Sequence, residues 1–132
     1  MRCMSGAVKR ILFVDDDPHL LAALRAVFRK ECGRWEMVFV KCGADAVCEL
    51  ARGSFDLVMS DHAMPGMDGL ELLAHVRATS PGTLCVLLSG GGATLDERLA
   101  RIVDQLIGKP YSNHALRETV TRMLEGSAAD RA

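Results

Sequence analysis

FDLVMSDHAMPGMDGLELL, residues Phe55 to Leu73, changes character twice over a short distance. Phe55, Leu57, Val58 and Met59 have the composition and length of a short buried strand, expected over Phe55 to Ser60. The run stops abruptly at a lone acid, Asp61. Met64-Pro65-Gly66 then reads as a turn, after which Leu70, Leu73 and Val76 recur at helical spacing. Asp68, next to Gly69, is expected to cap or turn the chain at the start of that helix. In open parallel sheets the carboxyl ends of the strands line the crevice where ligands collect. An acid at such an end is a site candidate, and a plain loop or helix cap is the alternative unless other charged strand ends join it.

Working outward, the same grammar recurs. Arg10 to Val14 is apolar on both alternate sets, as in a central parallel strand covered on both faces, and it ends in Asp15-Asp16-Asp17. Asp17 suits a helix cap and Pro18 the first helical turn. Leu20, Leu21, Leu24, Val27 and Phe28 then predict a helix to about Glu31, stopping before Gly33. Trp35 to Val40 predicts a second strand, and Gly43 opens a helix with Ala46, Val47 and Leu50 on its apolar side, closed by Gly53. Beyond the central stretch, Pro81-Gly82 leads into a fourth strand, Thr83 to Leu88, which stops at Ser89-Gly90-Gly91-Gly92. Thr94, at capping-box spacing from Glu97, predicts the next helix start, with Leu95, Leu99, Ile102 and Val103 as its apolar positions. Gln105 to Gly108 is left for a fifth strand before Lys109-Pro110, and Asn113 to Glu125 predicts a last helix burying Leu116, Val120, Met123 and Leu124.

Strand and helix alternating in this way predict an α/β fold, a three-layer (βα)5 sandwich around a five-stranded parallel sheet. Residues 9–125 are expected to form one domain, with 1–8 and 126–132 as short terminal extensions. Right-handed crossovers bring the ends of strands one, three, four and five to a common edge. That edge carries Asp15, Asp16, Asp61, Ser89 and Lys109.

The bulk composition narrows the function. With 132 residues, 49% apolar and 25% charged, the chain is of ordinary single-domain size and composition, which argues against disorder. Its longest apolar runs are far too short for a membrane span or a secretory leader, so the expected location is cytoplasmic. A formal charge of -1 and no basic block argue against direct nucleic-acid binding. Cys3, Cys32, Cys42, Cys48 and Cys85 form no CxxC pair and read as reduced, mostly buried residues, with Cys3 exposed. His19, His62, His75 and His114 are scattered, and His62 is read as a surface residue beside the acid.

Three carboxylates converging in one crevice repel one another unless a cation or raised pKa values relieve them. A hard divalent ion such as Mg2+, which sits on carboxylates beside phosphate, is the natural relief. Lys109 adds a second positive charge, and the Ser89 hydroxyl can bond phosphoryl oxygens, so the set suits phosphoryl transfer. Asp61, alone at its strand end, is the candidate nucleophile, while adjacent Asp15 and Asp16 suit metal holding. No Gly-x-x-x-x-Gly-Lys-Ser/Thr loop or Gly-x-Gly-x-x-Gly motif is present, which disfavours nucleotide and dinucleotide sites.

Taken together, ILFVDDDP, SDHAMPGMDGLELL, LLSG and the final KP, in this order and spacing, resemble the receiver domains of bacterial two-component response regulators over about Arg10 to Leu124. The resemblance implies a flavodoxin-like strand order 2-1-3-4-5. It implies that Asp61 accepts a phosphoryl group from a phosphohistidine of a sensor histidine kinase or phosphotransfer protein. Asp15, Asp16, Asp61 and the Ala63 carbonyl would hold Mg2+, with Mn2+ as a substitute. Ser89 would be the hydroxyl that turns toward the phosphoryl oxygen and Lys109 its salt-bridge partner, ahead of a cis peptide bond to Pro110. Such a domain is a signalling protein rather than a turnover enzyme. It relays phosphorylation to a downstream protein or output domain, with a homodimer through the helix 4–strand 5–helix 5 face as one form.

Two positions depart from the family pattern. Gly90 follows the switch hydroxyl where alanine is usual, and Leu106 stands three residues before the lysine where an aromatic is usual. Leucine lacks a ring's polar edge, so the departure bears on how phosphorylation is reported to the surface and not on chemistry at Asp61. A receiver-like interaction domain that works without phosphorylation is the main alternative. A haloacid-dehalogenase-type phosphohydrolase fits the Asp15/Asp17 spacing, but the chain lacks room for its cap and later acids. With no output domain expected after Glu125, the chain reads as a stand-alone receiver or a piece of a longer regulator.

Overall fold

The computed structural model describes residues 8–90 and 96–131. Among these, five strands alternate with five helices: β1 (Lys9–Val14), α1 (Pro18–Val27), β2 (Trp35–Val40), α2 (Gly43–Arg52), β3 (Leu57–Asp61), α3 (Gly69–Thr79), β4 (Leu84–Ser89), α4 (Glu97–Ala100), β5 (Gln105–Gly108) and α5 (Asn113–Arg131). All strand pairs are parallel, in the order β2-β1-β3-β4-β5. The expected flavodoxin-like arrangement is therefore the observed one.

Side chains alternate across a strand, and here the alternation divides the interior into two layers. Ile11, Phe13, Leu57, Met59, Val86 and Leu88 pack with Leu24 and Phe28 of the α1 region and Leu116, Val120 and Leu124 of α5. Leu12, Val14, Val58, Cys85 and Leu87 pack on the opposite face with Ala46 of α2, Leu72, Leu73 and Val76 of α3, and Val103. Strands apolar on both alternate sets are the sequence counterpart of this double covering.

Two aspartates fasten the starts of the strands. Asp56, just before β3, accepts the Arg10 N–H of β1 at 2.8 Å. Asp104, just before β5, accepts the Cys85 N–H of β4 at 2.7 Å and the Arg77 guanidinium of α3 at 2.6 Å. Arg77 also donates to the carbonyls of Pro81 and Ile102, which ties α3 to the segments before β4 and β5. Neither acid stood out in the sequence, although each directly precedes a strand.

Several boundaries differ from expectation. Helix α1 ends at Val27, and the chain continues through a 3-10 turn over Arg29–Glu31. Phe28, fully buried between the rings of Phe13 and Trp35, sits at that break. Apolar periodicity runs through such a tightened turn and so cannot mark it. The expected helix start at Thr94 lies outside the described residues. Helix α4 spans Glu97–Ala100, capped by Asp96 accepting from the Leu99 N–H at 2.8 Å. Helix α5 runs on to Arg131, past the expected end at Glu125. Cys85 is buried, but Cys32 and Cys48 are exposed and Cys42 intermediate, so the cysteines are not mostly core residues. Cys3 lies outside the described residues. Burial pushes the Cys85 thiol up to about 11, leaving it protonated near neutrality.

Removing the Asp104 carboxylate orphans a strand N–H and takes the ion partner from Arg77. Asp104→Ala is expected to lower stability by about 2 kcal/mol in urea unfolding. Glu97→Ala, which breaks only the exposed pair with Arg101, should stay within about 0.5 kcal/mol of the parent.

Candidate functional site

The alternation that builds the core also assembles the site. Asp15 continues the Ile11–Phe13 set, Asp61 the Leu57–Met59 set and Lys109 the side of Ile107, so all three leave the sheet on the α1/α5 side. Asp61 is the last residue of β3, and Ser89 the last of β4, each one residue beyond its expected strand end. Ser89 belongs to the opposite set, after Cys85 and Leu87.

Carboxylate oxygens of Asp15, Asp16 and Asp61 lie within 4.8 Å of one another. Asp15 and Asp61 are buried and Asp16 exposed. Asp15 Oδ1 accepts the Asp17 N–H at 2.9 Å, whereas its buried Oδ2 meets no donor among the described residues. Burial, assisted by the charge of Asp61 and opposed by that backbone bond, raises the Asp15 carboxyl from 3.8 to about 6. An orphaned carboxylate oxygen in an all-oxygen cluster is the donor set a hard divalent cation selects. Ala63 lies exposed in the β3–α3 loop and lines a surface hollow with His62, Met64, Pro65 and Asp68.

Lys109 forms an ion pair with Asp61 Oδ1. Partial burial pulls its ammonium down, but the hydrogen bond and charge of Asp61, with Asp15 behind them, outweigh this and hold it above the ordinary lysine value. The peptide bond between Lys109 and Pro110 is cis, as expected. Ser89 does not join the acids: its hydroxyl donates to Gly90 O at 3.1 Å and lies 3.5 Å from His62 Nδ1. His62 is thus a half-buried neighbour of the Ser89 hydroxyl at the rim of that surface hollow.

The loop after Asp61 is closed by backbone contact. The His62 carbonyl accepts the Gly69 N–H at 2.9 Å, and Asp68 caps α3 in a reciprocal capping box with Glu71. A Cβ at Gly69 would run into the carbonyl of Asp61 and lie 3.0 Å from His62 Cα. The sequence marked Gly69 as punctuation, but its smallness is what lets α3 approach the end of β3. Asp17 caps α1 through the His19 N–H at 2.9 Å, as expected. Tyr111 packs half-buried against the α1/α5 layer.

Comparison with known proteins decides the family. The family model described as response regulator receiver domain matches residues 11–121. The chain belongs to this family. The transcriptional regulatory protein GlrR of Escherichia coli is 34% identical over 127 residues, covering 95% of this chain. The chain spans only 28% of GlrR. A CheY-like receiver domain from Methanospirillum hungatei superposes with TM-score 0.83 and 25% identity over 94% of this chain and 99% of that one. The response regulator TrrA from Thermotoga maritima, solved in complex with Mg2+-BeF, superposes with TM-score 0.78 and 28% identity over 88% of this chain and 99% of its own. TrrA is also known in complex with the histidine kinase ThkA. The receiver is a signalling domain, and among its described residues no helix is long and apolar enough to cross a membrane.

Two outcomes follow from this geometry. Gly69→Ala should cost about 2 kcal/mol or more in urea unfolding, because only backbone could yield. Gly82→Ala, with nothing within 4 Å among the described residues, should be neutral or stabilising by up to about 1 kcal/mol. The second concerns Asp15. A carboxyl raised on folding binds protons more tightly in the folded state, so its contribution to stability falls as pH rises from about 4 through 6. In metal-free buffer at pH 7, Asp15→Asn should therefore be more stable than the parent by about 2 kcal/mol, with the gap closing toward pH 4. Added Mg2+ should raise the melting temperature of the parent and not of the variant.

Proposed function

We propose that the chain takes a phosphoryl group onto Asp61 from a phosphohistidine of a partner histidine kinase or phosphotransfer protein and relays it as altered protein binding. The observation that carries this reading is the meeting, at one sheet edge, of a buried strand-end carboxylate, two further acids and a lysine in direct ion pairing. An Asp61 oxygen attacks phosphorus, the P–N bond breaks, and the leaving imidazole nitrogen takes a proton. The product is a mixed anhydride. Asp15, Asp16, Asp61 and the Ala63 carbonyl would hold Mg2+, or Mn2+ in its place, and the bound ion would draw charge from the phosphoryl oxygens. Lys109, already paired with the acceptor, moves its charge to the phosphoryl group. Ser89 leaves Gly90 O and donates to a phosphoryl oxygen.

The domain promotes its own phosphorylation and dephosphorylation but turns over no separate substrate. We take residues 9–125 as this unit, working in the cytoplasm, with no direct contact to nucleic acid or membrane. Its downstream partner is another protein or an output domain, and pairing of two copies through α4, β5 and α5 is one form of relay. Leu106, half-buried against the same core layer as Leu99 and Ile102, occupies the position where an aromatic would otherwise turn. Relay through this face therefore works by aliphatic repacking around β5.

Incubation with Mg2+ and acetyl phosphate should add about 80 Da, a single phosphoryl group, as read by intact-mass spectrometry. Asp61→Asn should abolish the gain and chelation of the metal should suppress it. A parent protein that gains no mass from acetyl phosphate or a phosphorylated kinase would leave the phosphorylation-independent interaction domain as the better reading.

A further inference from the structure

His62 directly follows the acceptor, and the register of the sheet decides where its ring goes. Asp61 stands opposite Leu88 in the β3–β4 ladder, and the His62 N–H extends that ladder by donating to Leu88 O at 2.9 Å. His62 and Ser89 are therefore the next lateral pair. In a parallel ladder, side chains of such a pair leave on the same face of the sheet. The imidazole cannot swing away freely, because its backbone is held on both sides, by Leu88 O and by the Gly69 N–H. Its Nδ1 lies 3.5 Å from Ser89 Oγ.

A hydroxyl has one proton to give. Ser89 gives it to Gly90 O, so the ring acts as donor from its Nδ1–H tautomer, assigned from this network. Both contacts hold Ser89 on the α3/α4 side of the sheet, away from Asp61 and Lys109. We propose that His62 is a positioning residue, a latch that holds the Ser89 hydroxyl out of the acceptor site until a phosphoryl group competes for it. The proposal rests on the reading of Asp61 as acceptor. Each binding event that draws Ser89 inward must first break this contact, which lowers apparent affinity by the population held in the latched state.

Beryllofluoride with Mg2+ serves as the probe, a phosphoryl mimic whose binding is read by titration calorimetry. His62→Leu should bind it about 2- to 5-fold more tightly than the parent, the scale of one modest intramolecular hydrogen bond. His62→Ala carries the same expectation should leucine overfill the position. His62→Asn, which restores a donor near the place of Nδ1, should return the affinity toward that of the parent. In a Ser89→Ala background the His62→Leu effect should vanish, which a merely structural role of the ring would not produce. Unchanged or weaker binding by His62→Leu and His62→Ala, or the same tightening without Ser89, would overturn the latch while leaving the acceptor reading intact. A parent that binds no beryllofluoride overturns the acceptor reading, and the latch with it.

Discussion

Mutual repulsion of three carboxylates at one end of the sheet is the constraint on which the rest of the site depends. Asp15 and Asp61 are buried within reach of each other and of Asp16, where water screens them poorly. Lys109 neutralises part of that charge through its ion pair with Asp61. Among the described residues Asp15 Oδ2 still meets no donor, and the Asp15 carboxyl is raised to about 6. These acids are therefore held together at some cost to the fold. That residual charge is what a divalent cation and a phosphoryl group, arriving together, would balance.

The sheet separates chemistry from readout by parity. Asp15, Asp61 and Lys109 leave their strands on the α1/α5 side, whereas His62, Ser89 and Leu106 belong to the α3/α4 side. Phosphorylation adds charge on one side of the sheet. Ser89 lies on the other side, on the face whose layer contains Leu99, Ile102 and Leu106. The two layers share only the strands, so the strand ends carry whatever coupling exists between them. In the arrangement seen here the Ser89 hydroxyl donates to Gly90 O and lies 3.5 Å from His62 Nδ1.

Backbone geometry fixes the end of β3 that carries Asp61. Gly69 lets the N-terminus of α3 press against the Asp61 carbonyl, and the capping box of Asp68 and Glu71 fixes the first turn of that helix. At the opposite end of the sheet, Asp56 and Asp104 hold the register of β1 with β3 and of β4 with β5. A slip of one residue in either pair would turn the site side chains to the wrong face.

Much of this was legible in the chain alone. The strands, the two-sided covering of the sheet, the common edge of Asp15, Asp16, Asp61, Ser89 and Lys109, and the caps Asp17 and Asp68 follow from local patterns of period and punctuation. Such patterns report which residues are buried and where the backbone turns. They do not report which side chains meet across strands distant in sequence. That Ser89 faces His62 rather than Asp61, that Phe28 ends α1 early, and that Asp104 binds Arg77 and Cys85 were decided by the tertiary structure. The reason is geometric: alternation within a strand is local, but the register between strands depends on the packing of both layers at once.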